Sequence, residues 1–206
     1  MTKEEKLDLY KLNKDEYIQP KKPKLIETKP TVYLSITGSG QPGDEEFQAK
    51  IGALYGMAYT IKMTRKFDGL GDYTICKLEG IYQFDDKKEN LSKVPSPEWK
   101  WKLMIRTPDF ISQKDLDMAI EKLIQKGKDP EVKNVVLDTI DEGLCVQMLH
   151  VGPYDEECKT IKEMMDFVEG EGMEFHGRHH DIYISDPRRV SPERLKTIIR
   201  HPVRKV

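Results

Sequence analysis

The chain has 206 residues, enough for one large domain or two small fused modules, and a formal net charge of −2. Hydrophobic residues at 37% and charged residues at 34% describe a real core under a highly charged surface, with no excess of positive charge to seek a nucleic-acid backbone. No window approaches the roughly 18 consecutive apolar residues of a membrane helix, and the N-terminus lacks the apolar stretch of a secretory signal.

Cys76, Cys145 and Cys158 are an odd set, far apart and without a CxxC pair, so a disulfide framework and a cysteine-rich zinc site are both disfavoured. Reduced thiols point to a cytoplasmic protein.

Residues 1–29 are Lys-rich and lead into Pro30 through Pro20 and Pro23; they read as a solvated arm, helical at first and then extended. "TVYLSITGSG" alternates as a strand, with Val32, Leu34 and Ile36 on one face and Tyr33 and Ser35 on the other. Asp44 is the expected N-cap of a helix carrying Phe47, Ile51, Leu54, Tyr55, Ala58 and Ile61 at helical spacing. "DYTICKLEGIYQF" and "WKWKLMIRTP" follow as strands around a charged loop, "DDKKENLSKVPSPE". A helix, "SQKDLDMAIEKLIQKG", and a strand, "VKNVVLDTI", connect to the second half. There "LCVQMLHVG" is a strand, "CKTIKEMMDFVEG" a helix ended by Gly170 and Gly172, and "HHDIYIS" and "LKTIIRHPV" are strands.

Strand, helix, strand, strand thus occurs twice, and "GQPGDEE" and "LEGIY" rhyme with "GPYDEE" and "HDIY". The economical explanation is a duplication giving an α+β fold with two units about a pseudo-twofold axis and a cleft between them. The arm occupies 1–29 and a single domain 30–206, with module one at about 30–107, connecting elements at 108–141 and module two at about 142–206.

The densest chemistry lies in "FHGRHHDIYISDPRR". Strand alternation puts His179, Asp181, Tyr183 and Ser185 on one side and His180, Ile182 and Ile184 on the other. The isoleucines are expected to face the helices, drawing His180 towards the core. His179 and Asp181 could share a metal, but no third ligand is fixed nearby and there is no HExxH, so no metal or other cofactor is expected. Through the rhyme Asp181 is matched with Glu79, and both carboxylates are expected to face one cleft lined by Tyr33, Tyr82, Tyr183, Trp99 and Trp101. Such a cleft suits a planar or cationic ligand, and desolvated carboxylates there could move protons near neutral pH. The alternative is that both are surface carboxylates and the aromatics are core.

"EEFQAKIGALYGMAYTIK", "LEGIY", "WKWKLMIRTPDF", "VGPYDEE" and "HHDIYISDPRRVSPERLKTIIRHPV" together resemble the GyrI-like small-molecule-binding proteins, in particular the stand-alone branch, from about Lys29 to Arg204. The resemblance implies tandem strand-helix-strand-strand (SHS2-type) modules around a ligand cleft. It also implies binding of lipophilic, often cationic drugs and, for some stand-alone members, hydrolysis of cyclopropane-bearing DNA alkylators. On that footing Glu79, Asp181 and Tyr183 are the catalytic candidates, and Tyr33, Tyr82, Trp99, Trp101 and His179 the ligand-binding ones. Two departures stand out: "HHDIY" where relatives commonly have "HHEIY", and "LEGIY" where "LEGLWW" is frequent. The competing functions are a non-catalytic drug binder or sensor and a protein inhibitor of a partner such as DNA gyrase. Residues 1–29 are too short for a helix-turn-helix unit, so direct transcription control is not expected, and the protein should be a monomer or homodimer.

Overall fold

The computed structural model describes residues 6–83 and 99–206. The charged loop expected at 85–98 lies outside the described residues. The elements are α1 (Leu9–Leu12), β1 (Lys24–Glu27), β2 (Thr31–Ser39), α2 (Glu45–Phe67), β3 (Leu78–Gln83), β4 (Lys100–Arg106), α3 (Gln113–Gln125), β5 (Val136–Ile140), β6 (Leu144–Val151), α4 (Glu157–Gly170), β7 (Met173–Phe175), β8 (His179–Tyr183) and β9 (Lys196–Lys205). The expected strand at 72–84 is shortened to β3, and the short strands β1 and β7 were not anticipated.

One antiparallel sheet carries the fold, in the order β1-β6-β9-β8-β3-β4-β2-β5, with β7 added against the end of β9. Outward from the β3–β8 pair come β4 and then β2 on one side and β9 and then β6 on the other, so on each side the last strand after the helix is followed by the strand before it. The two halves therefore meet at the strands that carry "LEGIY" and "HHDIY".

The helices form where their ends are satisfied and one face is apolar. Asp44 caps α2 by accepting from the Phe47 N–H at 2.8 Å. Glu45 and Glu46 open that helix and Arg65 and Lys66 close it, each complementing its dipole. Its apolar stripe, Phe47, Leu54, Met57, Ala58 and Ile61, packs on Leu34, Ile36, Leu103 and Ile105 of β2 and β4. Ser112 and Asp115 form a capping box for α3, which packs against α2. α4 lays Met164 and Val168 over Val146, Met148, Ile199 and Val203 and ends where Gly172 takes φ +69°. No helix among the described residues is long and apolar enough to cross a membrane.

α2 covers β2 and β4, and α4 covers β6 and β7, so the central pair β3–β8 lies between them. The opposite sheet face is covered by the N-terminal segment. Tyr17 and Tyr10 pack with Ile182, Ile184 and Ile198 there. Leu149 N–H donates to the Pro20 carbonyl at 2.8 Å, and Gln147 Nε2 donates to the Ile18 carbonyl at 2.7 Å, fastening this strap to β6. The arm is thus a structural layer of the sheet on its way to β1.

Candidate functional site

The alternation along β8 holds, but the faces are reversed from expectation. Ile182 and Ile184 lie under the strap, while Asp181 and Tyr183 face the helix side. The cross-strand register decides the rest: Gly80 pairs with Asp181 and Tyr82 with His179, whereas Glu79 pairs with Ile182. Directly paired residues share a face, so Glu79 and Asp181 lie on opposite sides of the sheet. The expectation that both line one cleft is therefore corrected. Aligning "GIY" with "DIY" shows why: the positional counterpart of Asp181 is Gly80, and a one-residue slip turns a side chain to the other face.

On the strap side, Glu79 is fully buried and its carboxylate is committed. Tyr17 donates to Oε1 at 2.8 Å, Tyr33 donates to Oε2 at 3.3 Å, and His180 Nε2 lies 3.0 Å from Oε2. His180 Nδ1 lies 2.9 Å from Glu142 Oε2, which also receives Arg200 Nη1 at 3.3 Å. Arg200 Nε donates to Gln147 Oε1 at 2.9 Å and its Nη2 donates to the Glu16 carbonyl. Arg106 Nη1 donates to Glu16 Oε2 at 2.8 Å. Three carboxyl side chains and three cationic side chains balance one another beneath the strap. Burial opposes the charge on His180, but Glu142 and Glu79 outweigh it and hold the imidazolium to about 9. Burial likewise opposes the Glu142 carboxylate, yet His180 and Arg200 bring it down to about 2. With both oxygens of Glu79 hydrogen-bonded, Glu79 and Tyr33 lie in the buried network under the strap, on the other side of the sheet from Asp181. Trp101 is core: the indole is edge-on to Phe47 at 4.8 Å, lying over Gly38 and donating to the Gly40 carbonyl at 3.2 Å.

On the helix side the remaining candidates converge. His179 Nε2 lies 2.8 Å from Asp181 Oδ1 and 4.0 Å from Oε2 of Glu157, the first residue of α4. All three residues are buried. Glu157 Oε1 has no hydrogen-bond partner among the described residues. Burial, and then the facing Asp181, push the Glu157 carboxyl well above the usual carboxylate range. The Tyr82 and Tyr183 hydroxyls hydrogen-bond to each other across the β3–β8 pair. They lie over the bare backbone of Gly80, where a Cβ would stand 2.9 Å from Tyr82 Cε2 and 3.2 Å from the Tyr183 hydroxyl. Trp99 meets Tyr82 edge-on at 6.1 Å, and the more exposed Tyr154 meets Tyr183 edge-on at 5.8 Å. Burial, then Glu157 and Asp181, raise the Tyr154 hydroxyl to about 12. Behind His179, His201 stacks on Phe175 at 4.1 Å; burial, and then His179, lower it to about 3, so it stays neutral.

Of the eight sequence-derived candidates, five share this helix-side cluster: His179, Asp181, Tyr82, Tyr183 and Trp99. Glu157 and Tyr154 were missed. Both sit in "GPYDEE", read only as an acidic helix start, although helix-start chemistry gives no reason for Glu157 to be buried.

A family profile described as GyrI-like small molecule binding domain matches residues 21–204. No curated protein matches the chain. Among solved structures, an uncharacterized conserved protein from Listeria innocua is 38% identical, with 97% of this chain and 100% of that chain covered and a TM-score of 0.89. A structure described as a hydrolase from Listeria innocua is also 38% identical, with the same coverage and a TM-score of 0.87. The C-terminal domain of EcmrR shares the fold at 16% identity, with 90% of this chain and 98% of that chain covered and a TM-score of 0.58.

Proposed function

Since the chain belongs to the GyrI-like small-molecule-binding family, we propose that its ligand enters between α2 and α4 and is a planar, lipophilic or cationic compound with a strained, electrophilic ring, such as a cyclopropane-bearing DNA alkylator, which the protein hydrolyses. The carrying observation is the meeting of Glu157, His179 and Asp181, with ligand atoms within 4.8 Å of one another, beside the Tyr82–Tyr183 pair. The description of a 38% identical Listeria innocua relative as a hydrolase supports the same reading.

The roles follow from the environments. Trp99, Tyr82 and Tyr154 offer aromatic faces and edges to a planar ligand, and a positive charge on it gains from the carboxylates. Asp181, held by His179, takes a proton from a water. The water oxygen bonds to a ring carbon as the strained carbon–carbon bond breaks, and the released electron pair moves into the conjugated carbonyl. The protonated Glu157 and the Tyr183 hydroxyl are the donors that meet that charge, Glu157 returning the proton. His179 is a positioning residue. Ring strain supplies driving force, so orientation and one proton transfer carry much of the task.

Incubation with a cyclopropane-bearing alkylator, followed by mass spectrometry for substrate plus water, tests this. Multiple turnovers that Asp181→Asn abolishes are expected. Unchanged compound that quenches tryptophan fluorescence would instead make the protein a binder without chemistry.

A further inference from the structure

We infer that Glu157, His179 and Asp181 form a binding site for a divalent first-row transition-metal ion such as zinc. Along β8, alternation gives only two donors on one face, His179 and Asp181. The fold supplies a third by placing the start of α4 over them. One nitrogen and two carboxylate oxygens lie within 4.8 Å of one another, all on buried residues. A tetrahedral ion about 2.1 Å from each donor sets its donors about 3.4 Å apart. The separations from His179 Nε2, 2.8 Å to Asp181 and 4.0 Å to Glu157, straddle that value, each within about 0.6 Å of it.

A second feature points to a cation. Glu157 is 8% exposed; its Oε2 faces His179, and its Oε1 has no partner within hydrogen-bond distance among the described residues, the Thr197 hydroxyl being the donor beside this carboxyl. Buried carboxylate oxygens normally find a donor or a cation. The Arg and Lys side chains that neutralise buried carboxylates elsewhere in this protein make no ion pair with Glu157 or Asp181 among the described residues. A metal ion would replace the Nε2 hydrogen that His179 shares with Asp181, and the imidazole then presents its Nε2 lone pair beside two carboxylates, the donor set of a nitrogen–oxygen zinc site. Three protein donors leave one position for a water or a substrate oxygen. The ion would displace the Glu157 proton and occupy Asp181, so metal binding and the proton transfers of the proposed hydrolase are alternative states of the same residues, and the inference does not rest on hydrolysis.

The experiment is isothermal titration of chelator-treated full-length protein with zinc, with thermal melting in zinc and in chelator alongside. One zinc per chain is expected, with a dissociation constant of about a micromolar or tighter and a higher melting temperature in zinc. Asp181→Asn and His179→Gln should weaken binding at least about 100-fold. His176→Ala and Cys158→Ser, at exposed positions nearby, should leave it unchanged. Glu157→Gln keeps the side-chain volume and guards against misfolding: it should melt in chelator at or above the wild-type temperature yet lose most of the zinc affinity. No zinc binding by the wild type, or binding that survives Glu157→Gln and Asp181→Asn, overturns the inference. Ethidium, a planar cation, titrated into the chelator-treated protein separates the two readings. Ethidium binding without zinc binding sinks the metal site and leaves the ligand pocket standing.

Discussion

The two faces of the β3–β8 pair bury carboxylates by opposite means. Beneath the strap, Glu79, Glu142 and Glu16 are matched by His180, Arg200 and Arg106, and each charged group has a named partner. On the helix side, Asp181 and Glu157 share one imidazole, and one Glu157 oxygen has no hydrogen-bond partner among the described residues. A satisfied buried network fixes a structure, whereas an under-satisfied one is poised to accept a proton, a cation or a ligand. The contrast separates stability from function within one sheet, residue by residue.

The sharpest break of that contrast compares one deletion on each side. Arg200→Met takes from Glu142 one of its two buried cations and leaves Gln147 Oε1 and the Glu16 carbonyl without the Arg200 donor, and should cost about 3–5 kcal/mol in urea unfolding. Glu157→Gln should be neutral or stabilising in the same assay, because it removes a carboxyl that burial disfavours. Equal losses at both positions would mean that the helix-side cluster is structural too.

Titration should show the same asymmetry. The folded protein holds His180 protonated to about 9, above the ordinary histidine value near 6.5, so this pair's stabilisation is complete below about pH 6.5 and is lost as pH rises through 9. Glu142, held down to about 2, adds stability above about pH 4.5 that is lost as pH falls through 2. Unfolding free energy should therefore fall on the alkaline side by on the order of 3 kcal/mol, shared between His180 and the carboxylates that hold it, and melting temperature against pH should fall with it. A flat profile from pH 6 to 10 would remove the charge from His180. Smaller still is Tyr17→Phe, which leaves Glu79 Oε1 without its donor and should cost about 1–3 kcal/mol while ligand affinity on the other face is unchanged.

Much of this was legible in the sequence. The two runs of strand, helix, strand, strand, the Asp44 cap and the grouping of His179 with Asp181 and Tyr183 all follow from period and capping chemistry. What alternation cannot supply is which group faces which layer. That was settled by Tyr10 and Tyr17, two aromatics in a lysine-studded segment whose composition reads as solvated, and which cover the second face of the sheet. The Glu79–Asp181 match failed because a rhyme between strands fixes residue type more loosely than register, and strands punish a shift of one. Glu142 precedes β6 in a loop and Glu157 begins a helix, so neither sits in a pattern whose period would aim it inward.

Gly80→Ala is the smallest perturbation and bears most directly on the pocket. Gly80 is the residue paired with Asp181, and it lacks the side chain that would rise between the two tyrosines. A Cβ there would stand 2.9 Å from Tyr82 Cε2, 3.0 Å from the Tyr82 hydroxyl and 3.2 Å from the Tyr183 hydroxyl. Both rings must shift by a few tenths of an ångström, and their mutual hydrogen bond must lengthen. Overpacking the buried Tyr82 ring costs about 1–3 kcal/mol, offset in part because alanine fits a strand better than glycine, so the net stability loss should stay near the lower end of that range. Ligand affinity should fall several-fold, read by tryptophan quenching, since Trp99 meets Tyr82 edge-on. If Gly80→Ala unfolds the protein but leaves the affinity of the folded fraction intact, the tyrosine pair is core packing, and the ligand lies nearer Glu157 and Tyr154.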